Sequence, residues 1–444
     1  RVGLFSVYTS PWFSSIYLLL FVSLVGCIIP RVGTYARALR ARPPKTPRNL
    51  ARLPAYAKAT IAGQDDDVLG RAAAVLRQRH YRVDTAGDSV AAERGYLREA
   101  GNLVFHVSLV FVLVGVAIGA LWGFRGTSVV VVGQGFSNNL TQFDDFSAGA
   151  QFSEADLAPF SVTVKDFDVR FETGPVQRGA ARLFRADVEV TERPGAAPRQ
   201  EVLEVNKPLR IGGTTVHLIG HGYAPKVTVK DAQGNVAFSG PVVMLPQDGN
   251  FTSVGAIKAP DARPERLAFE ALFLPTAVLD DQGPHSVFPD ALNPAMFANV
   301  WYGPPRVETG KPENVYSLDP TGLRQLRQAD GQPVRIALKV GDGVTLPDGK
   351  GSIQLDGWVR WVKLQIGDTP GVPISLIALV FAVTGLCLSL FVRPRRVWIR
   401  VRGQPGHRVV EVGGLDRADA RAGLTEDVAE LAAEVSRPED VSAT

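Results

Sequence analysis

Three long stretches without charged residues constrain this chain more than any other feature of its sequence. They cover residues 2–30, 100–124 and 369–392, and His106 is their only histidine. A helix of about 20 apolar residues crosses the roughly 30 Å hydrocarbon core of a bilayer. Each stretch therefore predicts a membrane-spanning helix, which excludes a purely soluble protein. So much apolar sequence also excludes a disordered chain.

The charges between these stretches predict how the chain is oriented in the membrane. The loop of residues 31–99 holds 14 Lys+Arg and 7 Asp+Glu, and five arginines fall within residues 393–402. Acidic residues outnumber basic ones in the long segment of residues 125–368. Because basic loops stay in the cytoplasm, we expect residues 31–99 and 393–444 to be cytoplasmic and the long segment to be extracytoplasmic.

The helix ends add two expectations. Arg393, Arg395 and Arg396 directly follow the third stretch and suit the anionic headgroups of the cytoplasmic leaflet. The chain starts at Arg1 on the outer side and carries no signal-peptide pattern. We therefore expect N-terminal sequence before Arg1 that includes one more spanning helix.

The soluble segments differ in their periodicity. Residues 160–171 (FSVTVKDFDVRF) alternate apolar and polar side chains, and residues 231–235 (DAQGN) are typical of a hairpin loop. Similar runs follow one another through the external segment, which predicts antiparallel sheets in a sandwich or barrel-like domain. Residues 275–330 are rich in proline and are expected to be irregular. In the cytoplasmic loop, three aspartates at residues 65–67 precede apolar residues at helical spacing, which predicts a helix start.

The fold class that follows is a membrane protein with transmembrane α-helices and a large antiparallel β-rich extracytoplasmic domain. We expect six segments along the chain. They are a spanning helix (1–30), a cytoplasmic loop with a small α/β element (31–99), a second spanning helix (100–124), the extracytoplasmic β-rich domain (125–368), a third spanning helix (369–392) and a cytoplasmic tail (393–444). The last 30 or so residues of the tail are expected to be helical or disordered, and solvated.

His106 is the candidate site residue. It lies within residues 102–111 (NLVFHVSLVF), near the cytoplasmic end of the second stretch. Lipid offers an imidazole no hydrogen-bond partner, so the ring must face protein, water or a ligand. One interpretation is a hydrogen bond to another helix. The other is an axial ligand of haem iron, because imidazole binds haem iron strongly and ionisable residues inside membranes are functional by default. The residues alone leave both interpretations open.

The remaining residues indicate no chemistry of their own. Cys27 and Cys387 are the only cysteines, have no CxxC partner and are expected to pack as small apolar residues. His217 and His221 share a predicted strand face some 13 Å apart, too far for one metal ion without a bend, so we interpret both as half-exposed strand residues. The sequence has no GxSxG, P-loop, HExxH or CxxCH motif, and we assign no catalytic residue.

Several stretches together resemble the ResB family, the partner subunit of System II cytochrome c biogenesis. The resemblance covers nearly all of residues 1–402 in order and in membrane placement, and the last 40 or so residues carry none of it. The stretches are residues 3–13 (GLFSVYTSPWF), 94–106 (RGYLREAGNLVFH), 205–210 (VNKPLR), 368–371 (DTPG) and 393–398 (RPRRVW).

The resemblance implies a haem-associated membrane histidine at His106, four spanning helices with a large external domain between the third and fourth, and a complex with the membrane protein ResC, also called CcsA. This sequence shows three helices, which match family helices two to four. His217 and His221 stand where the family has tyrosine or polar residues, so no role is transferred to them.

The expected function is a plasma-membrane subunit of a bacterial haem-delivery complex, in which His106 binds haem b transiently for attachment to apocytochrome c. Expected partners are a ResC/CcsA-type protein, apocytochrome c, thiol-reducing proteins acting indirectly and the lipid bilayer, with no nucleic acid. Two alternatives stay open. They are a b-type electron-transfer subunit, which a single membrane histidine disfavours, and a structural scaffold that never contacts haem.

Overall fold

A computed structural model describes residues 10–61, 67–281, 283–305, 313–403, 407–416 and 423–437. Its contacts divide the chain into two compact units. The first unit combines Arg1–Ile118 with Pro370–Thr444, and the second is Gly119–Thr369.

Three of the described helices are long and apolar enough to cross a membrane, as the sequence predicts. The first continues past Pro30 to Arg40, so it is longer than the uncharged stretch that predicts it. Arginine, alanine and leucine at residues 36–40 favour the helical backbone, which explains the extension. The helices are α1 (Pro11–Arg40), α2 (Val68–Gln78), α3 (Leu97–Trp122), α4 (Val372–Phe391) and α5 (Leu424–Ser436).

The rest of the described chain is dominated by strands. In chain order they are β1 (Ala55–Thr60), β2 (Arg82–Ala86), β3 (Ser89–Arg94), β4 (Phe124–Val131), β5 (Gly135–Ser137), β6 (Asp145–Ala148), β7 (Ser161–Phe171), β8 (Ala181–Thr191), β9 (Arg199–Glu204), β10 (Leu209–Ile211), β11 (Thr214–Lys230), β12 (Val236–Pro241), β13 (Leu245–Pro246), β14 (Ser253–Ala259), β15 (Arg266–Leu274), β16 (Ala277–Asp280), β17 (Gly283–Ser286), β18 (Ala295–Gly303), β19 (Arg324–Gln325), β20 (Arg335–Lys339), β21 (Gly343–Thr345), β22 (Ser352–Asp368), β23 (Arg395–Arg402) and β24 (Val409–Asp416).

The first unit contains an antiparallel sheet with the strand order β1-β24-β23-β3-β2. Helices α2 and α5 pack on one face of this sheet, where Leu76 and Leu431 meet Ile399 and Val412 in one buried cluster. The small α/β element predicted for residues 31–99 is therefore present. It is completed by the C-terminal segment, where α5 confirms the expected helix. Val428 and Leu431 of α5 are buried, so the prediction that this end of the tail is solvated is wrong. Residues 55–94 supply the strands that bury the tail, and they are remote from it in sequence.

The arginines after α4 also depart from expectation. The Arg395 side chain is buried and forms ion pairs with Asp416, at 3.5 Å, and with Asp427. Arg396 donates to Glu93 at 2.9 Å. These two guanidinium groups therefore stabilise the sheet and its helix, and they are committed to carboxylates of the protein rather than to lipid headgroups.

The second unit is built around one long strand pair, which confirms the antiparallel β prediction. β11 and β22 pair from Thr215 with Gly367 to Lys230 with Ser352, at the centre of a seven-stranded sheet with the path β10-β11-β22-β4-β6 and with β12 and β21 on its sides. A four-stranded sheet (β5-β7-β8-β9) and a six-stranded sheet (β13-β14-β15-β18-β19, with β20 on β18) complete the unit beside the β16–β17 ribbon.

Two hydrophobic cores hold these sheets together. In one, Val216 and Leu364 of the long pair pack with side chains of the four-stranded sheet such as Val188. In the other, Val227 packs with side chains of the six-stranded sheet such as Phe269. The long strand pair therefore crosses from one core to the other.

Residues 275–330 are more regular than expected. The segment contains β16, β17, β18 and β19, so the prediction of an irregular region is wrong for much of it. Pro275, Pro289 and Pro294 stand between strands, and Pro284 lies in the two-stranded ribbon. Proline is tolerated at such places because its missing N–H is not needed for a ladder bond.

Candidate functional site

The candidate site residue, His106, lies in the third turn of α3. The helix runs from Leu97 to Trp122, close to the predicted span of residues 100–124. The His106 side chain is half-buried. The ring of Phe105 stands edge-on to the imidazole, with 5.2 Å between the ring centroids.

One hydrogen bond determines which ring nitrogen of His106 carries the proton. The Nδ1 atom of His106 lies 2.8 Å from the backbone oxygen of Asn102, one turn earlier. A carbonyl oxygen can only accept, so Nδ1 carries the proton and donates it. The lone pair of Nε2 is then available to a metal ion or to a donor. A carbonyl bonded to one ring nitrogen is the usual arrangement for a histidine that binds a metal through the other. The residue therefore fits an axial ligand of haem iron.

The packing of α3 on α4 determines which helix face carries His106. A Cβ atom on Gly101 would lie 2.6 Å from the backbone oxygen of Gly385, and one on Gly115 would lie 2.3 Å from the hydroxyl oxygen of Ser375. Gly101, Ser108 and Gly115 are the buried residues of α3. Gly101 and Gly115 lack the Cβ that would prevent this approach. Gly119, one turn after Gly115, is not part of the contact, because a Cβ there would meet nothing within 4 Å.

His106 lies away from this helix–helix seam. At 100° per residue, it stands about 160° around α3 from the line of Gly101, Ser108 and Gly115. An apolar groove of about 530 Å³ between α3 and α4 is lined by Leu103, Phe111 and their neighbours but not by His106. Helix α4 therefore supplies neither a ligand nor a wall opposite the imidazole.

The other residues weighed from the sequence do not form a site. Cys27 and Cys387 are free thiols exposed on α1 and α4, two helices apolar enough to cross a membrane. Asp67 caps α2 by accepting from the N–H of Gly70 at 3.1 Å, which confirms the helix start there. Residues 65 and 66 lie outside the described residues. Across the part of the chain that the structure describes, no three His, Cys, Asp or Glu residues gather as metal ligands.

The two strand histidines are not equivalent, which corrects the sequence interpretation. The pairing of β11 with β22 shifts between Leu218 and Gly220, so Ile219 forms a bulge. Side chains at even positions face the core before the bulge, and those at odd positions face it afterwards. His217 is half-buried on one face, whereas His221 is buried on the other with an exposed fraction of 8%.

An aromatic cluster that the sequence did not predict encloses His221. Phe251 stacks on the imidazole with 4.6 Å between the centroids, and Phe184 and Phe167 approach to 4.9 and 5.4 Å. The Nδ1 atom is buried without a hydrogen-bond partner among the described residues. Burial, and then the charge of Arg360, lower the pKa of His221 from 6.5 to about 3. The residue is therefore a neutral part of the core.

Comparison with known proteins identifies the family. The ResB-like family model matches residues 1–429, so it extends past residue 402, where the resemblance seen in the sequence ended. The segment of β24 and of part of α5 therefore also belongs to the family pattern. This agrees with the structure, in which β24 is a strand of the sheet and α5 packs on it.

Curated relatives carry one common name, cytochrome c biogenesis protein CcsB. The protein of Synechococcus sp. (strain CC9311) is 25% identical over 445 residues, which cover 99% of this chain and 86% of that protein. That of Synechococcus sp. (strain WH7803) is 29% identical over 345 residues, 77% of this chain and 73% of the relative. That of Picosynechococcus sp. is 29% identical over 221 residues, which are 49% of this chain and 44% of the relative, and several matches likewise span about half of each protein. The family match over residues 1–429 shows that the chain belongs to the ResB-like family.

Proposed function

We propose that this chain is a membrane subunit of a System II cytochrome c biogenesis complex, and that it binds haem through His106 and relays it across the membrane. The family and the name shared by the relatives support the pathway. The observation that carries the haem assignment is the bond from His106 Nδ1 to the Asn102 carbonyl oxygen, because it leaves the Nε2 lone pair for a metal.

His106 contributes one axial nitrogen to haem b, which is bound transiently as cargo. The second ligand comes from another chain or from solvent, since His106 is the one histidine in the three spanning helices that the structure describes. Helix α4, moreover, packs on a different face of α3. A ResC/CcsA-type membrane protein is the partner that the family resemblance implies. The intramembrane position suits a relay, because ionisable residues within spanning segments mark pathways through the bilayer.

The charge map supports the orientation of this relay. Residues 31–99 and 393–444 lie in the cytoplasm, and the β-rich unit lies outside the bacterial plasma membrane. Haem then enters on the side of His106 and is presented outside to apocytochrome c. The covalent step adds two acceptor thiols to the haem vinyl groups. We assign no catalytic residue for it to this chain, and thiol-reducing proteins act indirectly by keeping the acceptor cysteines reduced.

The test is the absorption spectrum of the complex purified with its partner. Two axial nitrogens give low-spin iron with sharp bands in the reduced state. His106→Ala removes one ligand and leaves a residue that suits a helix, so we expect loss of haem or a high-spin spectrum, together with failed cytochrome c assembly. Added imidazole is expected to restore part of the low-spin spectrum.

His217→Ala is the matched control, because His217 is a half-buried strand residue outside the membrane helices. It is expected to retain both haem and assembly. Full low-spin haem and full assembly in the His106→Ala complex would favour the scaffold alternative. A spectrum with two haems in this chain alone would favour the electron-transfer alternative.

A further inference from the structure

A short strand in the second unit has one open edge. β20 pairs with β18, from Ala295 with Lys339 to Asn299 with Arg335. Within the described residues, no strand pairs with the other edge of β20. An open strand edge presents unpaired N–H and C=O groups to any extended chain.

The hydrogen bonds at both ends of β20 show which residues face this edge. Leu326 donates its N–H to the carbonyl oxygen of Val300, so Val300 directs its backbone toward the edge of β18 that carries β20. Ala298 and Met296 point the same way by alternation along β18, and they pair with Ile336 and Leu338. At the other end, Lys339 bonds Asp342 through both backbone groups, at 2.9 and 3.0 Å, and therefore faces away. Because the direction alternates along a strand, Ile336 and Leu338 face β18.

Arg335 and Ala337 therefore direct their backbone groups away from the sheet. Their two N–H and two C=O groups have no backbone partner among the described residues. The two amides lie about 7 Å apart along the strand, which is the repeat that an added strand matches. Four main-chain hydrogen bonds are available to it.

The space beside this edge is open and partly apolar. A groove of about 740 Å³ is bordered by β20 on one side and by Val344, Leu346 and Pro347 on the other. Arg327 and Arg335 also border it, and Asp348 lies at its far side. The Arg335 side chain is exposed and forms no ion pair with any residue that the structure describes.

We propose that β20 binds an extended, unfolded segment of polypeptide as an added strand. This inference goes beyond the haem role of His106 and does not depend on it. Main-chain bonds to Arg335 and Ala337 supply affinity, and side chains of the bound segment supply specificity. Apolar side chains enter the groove beside the exposed Val344 and Pro347, and an acidic side chain lies opposite Arg335, because opposite charges across a strand pair attract.

Charged residues along this edge determine which segments it favours. Natural proteins protect edges with charged residues, bulges or covering segments. Arg335 and Lys339 are exposed on either side of Ala337, a small residue at the centre of the edge, and Asp342 closes the end at Lys339. Two basic residues repel a basic segment but attract an acidic one, so this edge favours an acidic partner.

The test measures binding of a fluorescent peptide of about ten residues, long enough to span the edge, to the purified full-length chain in detergent. The peptide alternates valine and glutamate, and its control carries N-methyl groups on alternate amides. Ala337→Pro removes one outward N–H at a position where an edge strand tolerates proline, whereas Ala337→Thr keeps it. We expect at least about tenfold weaker binding for Ala337→Pro and for the methylated peptide, and nearly unchanged binding for Ala337→Thr.

The side-chain contribution has its own test. Arg335→Glu is expected to lose the valine–glutamate peptide and to gain a valine–lysine peptide. Hydrogen exchange reports the site directly, since the amides of Arg335 and Ala337 slow when the peptide binds. Equal affinity for the methylated peptide or for Ala337→Pro would overturn the proposal, as would a peptide-independent dimer joined through β20, because the edge would then serve a second copy.

Discussion

The buried imidazole of His221 makes the stability of the second unit depend on pH. The folded chain keeps His221 neutral, because burial lowers its pKa from 6.5 to about 3. In the unfolded chain the same residue titrates near its ordinary pKa. Below about pH 6.5 the unfolded chain therefore binds more protons than the folded one, and the free energy of unfolding falls as pH falls toward the folded pKa.

The size of this effect follows from the same two values. Each unit of pKa difference corresponds to about 1.4 kcal/mol. At about pH 5, some 1.5 units below the unfolded pKa, the folded state has lost about 2 kcal/mol relative to neutral pH through His221 alone. His221→Leu removes the titrating group and also the buried Nδ1 atom that has no partner among the described residues. We expect the variant to be at least as stable as the original at neutral pH, since an unsatisfied buried polar atom costs about 1–3 kcal/mol.

Thermal or denaturant unfolding of the full-length chain in detergent, at about pH 7.5 and about pH 5, measures this difference. The original chain is expected to lose about 2 kcal/mol more on acidification than His221→Leu. His217→Leu is the matched control, because His217 lies on the other face of the same strand and is half-buried. Equal losses for the original and for His221→Leu would refute the argument that His221 is neutral in the folded state.

Three further changes test the other parts of the fold. Gly101→Leu is expected to destabilise the α3–α4 pair by about 1–3 kcal/mol in thermal unfolding, because even a Cβ at this position would lie 2.6 Å from a backbone oxygen. Gly119→Ala serves as its control, because a Cβ there would meet nothing within 4 Å. Arg395→Ala removes the buried guanidinium group that pairs with Asp416 and Asp427 and is expected to cost about 1–3 kcal/mol, with faster proteolysis of the C-terminal segment as the assay. In a chain without its native cysteines, a cysteine at Gln233 is expected to react with an impermeant reagent from outside, and one at Lys58 is not; the reverse pattern would contradict the orientation.

The parts of the fold that sequence could predict are those that depend on local pattern. A spanning helix needs only a run of apolar residues, and a half-buried strand needs only alternation, as in β7. The sheet of the first unit could not be predicted from local pattern. Its strands β3 and β23 pair Val90 with Ile399 across some 300 residues, and the tail has no partner until the loop supplies one. A solvated tail was therefore the natural but wrong expectation.

The candidate site likewise has a part that the sequence predicts and a part that it does not. His106 stood out because a histidine among apolar residues is conspicuous in a sequence, and its bond to Asn102 lies within one helical turn. The cluster around His221 could not be found in this way. The bulge at Ile219 reverses which positions face the core, and Phe184 and Phe251 come from separate segments. Only the assembled sheets bring these rings together.

The register of α3 against α4 is set outside the bilayer as well as within it. β3 ends at Arg94, shortly before α3 begins, and β23 begins at Arg395, shortly after α4 ends; Arg94 and Arg395 are paired in the sheet. The ladder thus aligns the two chain segments next to the start of α3 and the end of α4, and Gly101, about two turns beyond Arg94, meets Gly385. Because ladder bonds and close helix contact specify the same alignment, each reinforces the other. His106 follows Gly101 by five residues on the same rigid helix, so this shared register fixes its depth and its direction away from α4.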